Sequence, residues 1–187
     1  QGEGLVVEYF LREQETARVT NRQITVEPTF TGAWVEKLFD ARSNQGGQIK
    51  QTIDGVRYNE LTILKVALFP TNAGELFIPE MRLSATFGTP TGRRNLWGEA
   101  VLSQRTITVS SSRRSVYVRR LPAGAPNGFE GAVGRFSLSS QVDRDEVSQG
   151  DPVTWTVVLA GRGNIKSAGD PVLPNLSEFK AYDPHIE

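Results

Sequence analysis

The chain has 187 residues, of which 38% are apolar and 22% charged, and its formal net charge is zero. This is the composition of a globular protein, and the length allows one large or two ordinary domains. Cysteine is absent, so disulfides, thiolate metal sites and cysteine nucleophiles are excluded. No apolar run approaches the roughly 20 residues that a membrane-spanning helix needs, and the first residues, QGEGLVVEYF, lack the pattern of a signal peptide.

Strands are predicted along the whole chain, because apolar and polar residues alternate with period two and no long window has helical spacing. In the first half, the predicted strands cover residues 4–13, 21–30 and 58–69, and Pro28 ends the second of them. The segment SNQGGQ at residues 43–48 is interpreted as a hairpin tip. Strands of this length, separated by frequent turns, favour a sandwich of antiparallel sheets.

The middle of the chain contains two predicted reversals. The first is the turn PTNAG, with Pro70 and Gly74, which precedes a return strand. The buried face of that strand is predicted to carry Met81, Leu83, Ala85 and Phe87. The second reversal is a hairpin in which QRTITV and SVYVRRL flank the polar turn SSSRR.

A Pro/Gly-rich segment, PAGAPNG at residues 122–128, predicts a linker. Beyond it, GRFSLSSQV and VTWTVVLAG are predicted strands, with Phe136, Leu138, Val142 and Trp155 facing inward. GEGLVVEYFL near the start lines up with GDPVTWTVVL from Gly150, which indicates an internal repeat. We therefore predict an all-β chain of tandem β-sandwich modules, with one domain at residues 1–121 and a linker plus a second, partial module at residues 122–187.

Three glycines at spacing three, Gly128, Gly131 and Gly134, raise the question of a phosphate-binding loop. Such a loop joins a strand to a helix N-terminus, whereas these glycines precede the predicted strand RFSL. We interpret them as a tight turn at the junction of two modules, because glycine tolerates the backbone angles that a turn needs.

The sequence contains two further candidate sites. The densest acidic group could hold calcium, but its spacing departs from the 12-residue calcium loop, so a solvated turn is the preferred interpretation. Its members are Asp143, Asp145, Glu146 and Asp151. The one histidine, His185, lies near the chain end, where a Ser-His-Asp arrangement is rarely supported. We expect no catalytic residue, no cofactor and no metal, and hence no enzyme.

The candidate residues for an interaction surface are arginines and tryptophans. Residues 88–129 contain a single acid, Glu99, among seven arginines. Nucleic-acid binding would need stacking aromatics on the same face, and we expect no such partner. Arginine and tryptophan are enriched at the energetic centres of protein interfaces. The candidate surface consists of Arg113, Arg114, Arg119, Arg120, Trp34 and Trp97. A carbohydrate- or peptidoglycan-binding module, with Trp34 or Trp97 as a stacking platform, is the alternative.

Three segments resemble the Bat aerotolerance protein D (BatD) family: LFPTNAGELFIPEMRL, the long segment from LPAGAPNG to AGRGNI, and PVLPNLSEFKAYDP. The resemblance spans residues 4–187. It implies tandem immunoglobulin-like sandwiches in the periplasm and an anchor in the inner membrane through a C-terminal helix that this sequence does not contain. It also implies a role in oxygen tolerance and envelope stress, with von Willebrand factor A domain Bat proteins and a MoxR-type ATPase as partners. The family offers no catalytic residues to carry over.

Overall fold

The computed structural model describes residues 1–43, 47–169 and 174–185, and these residues divide into two compact units, Gln1–Gly124 and Ala125–Glu187. The division falls inside the PAGAPNG segment. The centre of the segment interpreted as a hairpin tip, residues 44–46, lies outside the described residues. The described part of the chain is almost entirely β-structure, and every strand pairing in it is antiparallel, so the all-β prediction is confirmed.

The first unit contains nine strands. They are β1 (Leu5–Gln14), β2 (Val19–Val26), β3 (Ala33–Asp40), β4 (Gln48–Ile53), β5 (Val56–Pro70), β6 (Gly74–Ile78), β7 (Arg82–Arg94), β8 (Ala100–Ser110) and β9 (Arg114–Val118). The long β5 is the centre of the first sheet, where β1 pairs along one edge and β3 and β4 share the other. A second sheet has the order β2-β7-β8, and β6 pairs with β9 in a third.

One hydrophobic core joins the three sheets of the first unit. Val66 and Leu68 point inward from β5 at 2% and 0% exposure, and Leu83 and Ala85 do the same from β7. Tyr9 of β1 also lies in this core, where its hydroxyl donates a 2.7 Å hydrogen bond to the Pro79 carbonyl. Burial raises the pKa of Tyr9 to about 12. Inward faces from several antiparallel sheets thus meet as in a sandwich.

The predicted hairpin around SSSRR is wrong. β8 pairs with β7, and β9 pairs with β6 in a different sheet. Ser111 explains the crossing, because its amide donates to the Met81 carbonyl (2.9 Å) and its hydroxyl accepts from the Met81 amide (2.9 Å). These bonds hold the end of β8 beside the start of β7. The chain then continues into β9, which belongs to the third sheet. The return strand predicted after PTNAG likewise does not pair with β5, since β7 lies between β2 and β8.

The second unit is a long hairpin of β10 (Gly134–Val142) and β11 (Trp155–Gly163), followed by a short 3-10 turn at Ile165–Ser167. None of its described residues is buried. Leu138 is 64% exposed, Val142 47% and Trp155 39%, so the predicted inward positions of these three side chains are wrong. The physical reason is that no second sheet of this unit covers the hairpin within its described residues. Phe136 is half-buried.

Candidate interaction surfaces

The four arginines of the predicted surface are all exposed, but they do not form one cluster. Arg113 and Arg114 lie at the start of β9, and Arg119 and Arg120 follow its end. A strand of five residues is about 17 Å long, so the two pairs stand well apart. Within the described residues, none of the four guanidinium groups has a hydrogen bond or an ion pair, which leaves all of them available to a partner.

An aromatic pair lies between these arginines. In the β6-β9 register, Phe77 stands opposite Ser115 and Glu75 stands opposite Tyr117. Residues that face each other across two strands share a side of the sheet, so Phe77 and Tyr117 are diagonal neighbours on one face. Phe77 is 62% exposed and Tyr117 is 77% exposed. Arg114 stands opposite Ile78, so its side chain points to the other side of the sheet, whereas Arg113 and Arg119 stand at period two from Ser115 and Tyr117. We call Phe77, Tyr117, Arg113 and Arg119 the aromatic-arginine face.

Sequence reasoning missed Phe77, and the reason is local. It sits in the run ELFI, where Leu76 and Ile78 on either side are also apolar and hide the alternation. The observed burial separates them: Leu76 is 4% exposed and lies in the core, whereas Phe77 points to the opposite side. Strand alternation could have predicted that Phe77 is exposed, but only if Leu76 had already been identified as a buried residue.

Trp34 is partly used by the fold. It lies in β3 directly opposite Phe69, and the two rings are 5.4 Å apart between centroids with a tilt of 38°. The tryptophan remains 39% exposed. Because Phe69 already contacts the indole, Trp34 offers less open aromatic surface than an isolated platform would.

Trp97 lies in the connection between β7 and β8, where it is 83% exposed. Its neighbour Leu96, which sequence reasoning did not single out, is 98% exposed. Trp34 and Trp97 belong to different sheets, so the predicted surface divides among the aromatic-arginine face, β3 and this turn.

A charged cluster borders a cavity of about 110 Å³ in the first unit. Asp40, 4% exposed, accepts hydrogen bonds from Lys37 Nζ (2.9 Å) and from the amide, Nε and Nη2 of Arg42. Arg42 also bonds Glu27. The side-chain hydrogen bonds from Arg42 and Lys37 hold the pKa of Asp40 well below its usual range, and the same network raises the pKa of Arg42. These charges are matched to one another, so the cluster stabilises the fold.

Two of the four acidic residues predicted as possible calcium ligands, Asp143 and Asp151, accept backbone hydrogen bonds in the connection between β10 and β11. Asp143 Oδ1 accepts the Thr154 amide at 2.8 Å, and Asp151 Oδ2 accepts the Ser148 amide at 3.3 Å. The bond from Thr154 lowers the pKa of Asp143. Among the described residues, no three or more His, Cys, Asp or Glu side chains come together as a metal-binding group.

Gly128, Gly131 and Gly134, the three glycines of the possible phosphate-binding loop, have different structural roles. Gly128 and Gly131 adopt φ values of 79° and 106° in the connection before β10, a conformation that side chains disfavour. Gly134 begins β10 opposite Gly163, and a Cβ there would lie 2.3 Å from the Arg162 carbonyl oxygen. Close strand pairing therefore requires this glycine, and the strand that follows it is not the helix that a phosphate loop needs.

Comparison of the chain with protein-family models, with curated proteins and with solved structures finds no match in any of the three. In the part of the chain that the structure covers, no helix has the length and apolar character needed to cross a bilayer.

Proposed function

We propose that the chain is a non-catalytic periplasmic interaction module of a BatD-like, membrane-anchored protein. Its units are immunoglobulin-like sandwiches in tandem, of which the second is partial. The observation that carries the proposal is the aromatic-arginine face, where Phe77 and Tyr117 are largely exposed between Arg113 and Arg119, whose guanidinium groups have no bond to any other described residue.

The face has the composition of a protein-binding surface. Aromatic side chains and arginine dominate the binding energy of protein interfaces, because they combine a large apolar area with hydrogen-bonding capacity. Phe77 and Tyr117 supply adjacent apolar area, and the arginines at both ends of β9 supply donors that suit carboxylates. A partner for this face would present an apolar centre bordered by acidic groups.

The resemblance to the BatD family supplies the identity of that partner. We propose that the face binds a von Willebrand factor A domain protein of the Bat group, which works with a MoxR-type ATPase. The resulting assembly would serve oxygen tolerance and the response to envelope stress. The unpaired arginines would attract an acidic partner over a distance, so association would weaken as salt increases.

The experiment is a calorimetric titration of the chain with such a von Willebrand factor A domain protein, at low and at high salt. Replacing Phe77 and Tyr117 by Ser should weaken binding by at least about tenfold, because each buried aromatic contact contributes on the order of 1 kcal/mol or more. The proposal is overturned if this variant binds as tightly as the wild type.

The arginines are tested with a charge-matched pair of variants. Arg113→Ser with Arg119→Ser should reduce both affinity and its salt dependence. Arg135→Ser with Arg162→Ser removes the same charge from exposed positions of the second unit and should leave both unchanged. Equal effects of the two variants would mean that only net charge matters, and the face would then have no specific role.

The carbohydrate-binding alternative is favoured by one observation, the 83% exposure of Trp97. Stacking of a sugar ring on the indole would shift its fluorescence and protect it from chemical modification. Titration with soluble peptidoglycan fragments tests this alternative. An unchanged emission spectrum, with no protection of Trp97 or Trp34, would exclude it.

A further inference from the structure

The connection between β7 and β8 places two apolar side chains at the apex of a hairpin. Arg94 and Ala100 form the last strand pair, and the five residues between them, Asn95–Glu99, make the turn. Leu96 is 98% exposed and Trp97 is 83% exposed. Exposing both side chains to water costs free energy, and their transfer to an apolar environment would recover it.

The polar groups of the turn are bonded to one another. Asn95 Oδ1 accepts the amides of Trp97 (3.0 Å) and Glu99 (2.9 Å), and Asn95 Nδ2 donates to the Glu99 carboxylate at 2.8 Å. The amide of Asn95 donates to the Glu99 carbonyl (2.9 Å), and that of Gly98 donates to the Asn95 carbonyl (3.0 Å). The Gly98 carbonyl accepts from Arg94 Nη1.

This bonding has two consequences. The turn is held in one conformation, so a ligand that contacts Leu96 and Trp97 pays little for ordering them. Four backbone amides of the turn, those of Asn95, Trp97, Gly98 and Glu99, also donate inside it, so these donors lose little hydration when the turn enters a less polar medium. Both properties suit a segment that enters an apolar environment.

The charges near the apex favour an anionic surface. Arg93 and Arg94 are exposed immediately before the turn. The nearby acid, Glu99, has its carboxylate bonded to Asn95. Long arginine side chains can keep their guanidinium groups at the level of phosphates while apolar neighbours lie deeper.

A bilayer fits this tip better than a protein pocket does. A stable protein interface buries about 800 Å² per partner and surrounds its central residues with contacts that exclude water. The flanks of Leu96 and Trp97 are instead arginines and the carboxylate of Glu99. Lipid headgroups close around any inserted shape, so a bilayer needs no such ring of contacts, and tryptophan is enriched at membrane interfaces.

We propose that the β7-β8 tip is a membrane contact: Leu96 and Trp97 insert into the headgroup region of a bilayer that contains anionic lipids, and Arg93 and Arg94 bind lipid phosphates. This contact is separate from the aromatic-arginine face and would orient the first unit against a membrane surface.

The test uses the full chain with vesicles of phosphatidylcholine, either alone or mixed with phosphatidylglycerol. Trp34→Phe and Trp155→Phe leave Trp97 as the one fluorescent tryptophan. With the mixed vesicles we expect a blue shift of its emission, quenching by brominated lipid chains, and co-sedimentation that weakens with salt.

The decisive variant is Leu96→Ser with Trp97→Ser, which should lower co-sedimentation by at least about tenfold. Phe179→Ser with Tyr182→Ser is the matched control, because it removes two exposed aromatic rings of the second unit and should leave vesicle binding unchanged. Arg93→Ser should weaken binding to the mixed vesicles more than binding to phosphatidylcholine alone.

Three results would overturn the proposal. The first is wild-type protein that does not bind the mixed vesicles, and the second is a Leu96→Ser/Trp97→Ser variant that binds them as well as the wild type does. The third is an emission shift of Trp97 caused by the von Willebrand factor A domain partner and not by vesicles, which would assign the tip to a protein. The first two results do not bear on the aromatic-arginine face, whose test measures binding of the von Willebrand factor A domain partner to the Phe77→Ser/Tyr117→Ser variant.

Discussion

The two units of the chain contain strands of similar sequence character but differ in what covers them. In the first unit, β5 pairs on both edges and its inward residues meet those of β7, so that Leu68 is completely buried. In the second unit, β10 and β11 form a regular hairpin of nine residue pairs, yet Leu138 remains 64% exposed. A strand can therefore be fully paired without contributing to a hydrophobic core.

The difference matters for stability because pairing alone contributes little in water. A two-stranded hairpin is at best marginally stable, whereas sheets that bury apolar faces against each other gain about 25 cal/mol per Å² of apolar area removed from water. The first unit therefore supplies a stable scaffold on which exposed surfaces can be displayed. Both surfaces with a proposed function lie on it.

The largest expected effect comes from matched leucines in the two units. Leu68→Ala removes a fully buried side chain of the first core and should lower the free energy of unfolding by about 3 kcal/mol. Leu138→Ala removes an exposed leucine of the second unit and should change the free energy of unfolding by less than about 0.5 kcal/mol. Urea unfolding followed by far-UV circular dichroism measures both. Similar losses for the two variants would contradict the contrast between the units.

The second-largest loss of stability is expected from the charged cluster around Asp40 in the first unit. Asp40→Asn should lower the unfolding free energy by about 2 kcal/mol at neutral pH, because the carboxylate accepts several hydrogen bonds from Arg42 and Lys37. The folded-state pKa of Asp40 lies below its unfolded value of about 3.9, so its contribution is complete above about pH 5 and is lost as the pH falls below about 4.

The measurement for Asp40 is a pair of unfolding curves at pH 7 and at pH 3, for the wild type and for Asp40→Asn. We expect the difference between the two proteins to narrow at the lower pH. Asp145→Asn, the same substitution at an exposed position of the second unit, is the control, and its unfolding free energy should differ little from that of the wild type at both pH values. A gap for Asp40→Asn that stays constant with pH would show that the carboxylate charge has no stabilising role.

The smallest effect on the first unit is expected from Gly161→Ala. A Cβ at this position would lie 2.2 Å from the Arg135 carbonyl oxygen, so the pairing of β10 with β11 must shift to accommodate it. We expect faster amide exchange across the hairpin and an unchanged unfolding transition of the first unit. A lower melting temperature of the first unit would show that its stability depends on the hairpin.

Much of the fold follows from local alternation. The strand predicted at residues 58–69 lies within β5, and the predicted inward positions Leu83 and Ala85 are buried. The pairing of the strands could not be predicted from local alternation. The bonds between Ser111 and Met81, which separate β8 from β9, join residues 30 positions apart. Exposure in the second unit was also missed, since β propensity does not reveal whether another sheet covers a strand.

The candidate surfaces were predicted in part. Charge identified the exposed arginines, and the turn position identified Trp97 as an exposed residue. Leu96 was missed because a single leucine gives no local signal of its orientation. Phe77 was missed because it lies between two apolar neighbours, and its approach to Tyr117 depends on the pairing of two strands that are far apart in sequence.

Site-resolved hydrogen exchange of the full chain, alone and with the von Willebrand factor A domain partner, tests the account most directly. Without the partner, we expect the slowest amides in β5 and β7 and much faster exchange in β10 and β11. Addition of the partner should slow exchange in β6 and β9, which carry the aromatic-arginine face, and leave β10 and β11 unchanged. Slow exchange in the second unit, or a partner footprint confined to it, would contradict the account.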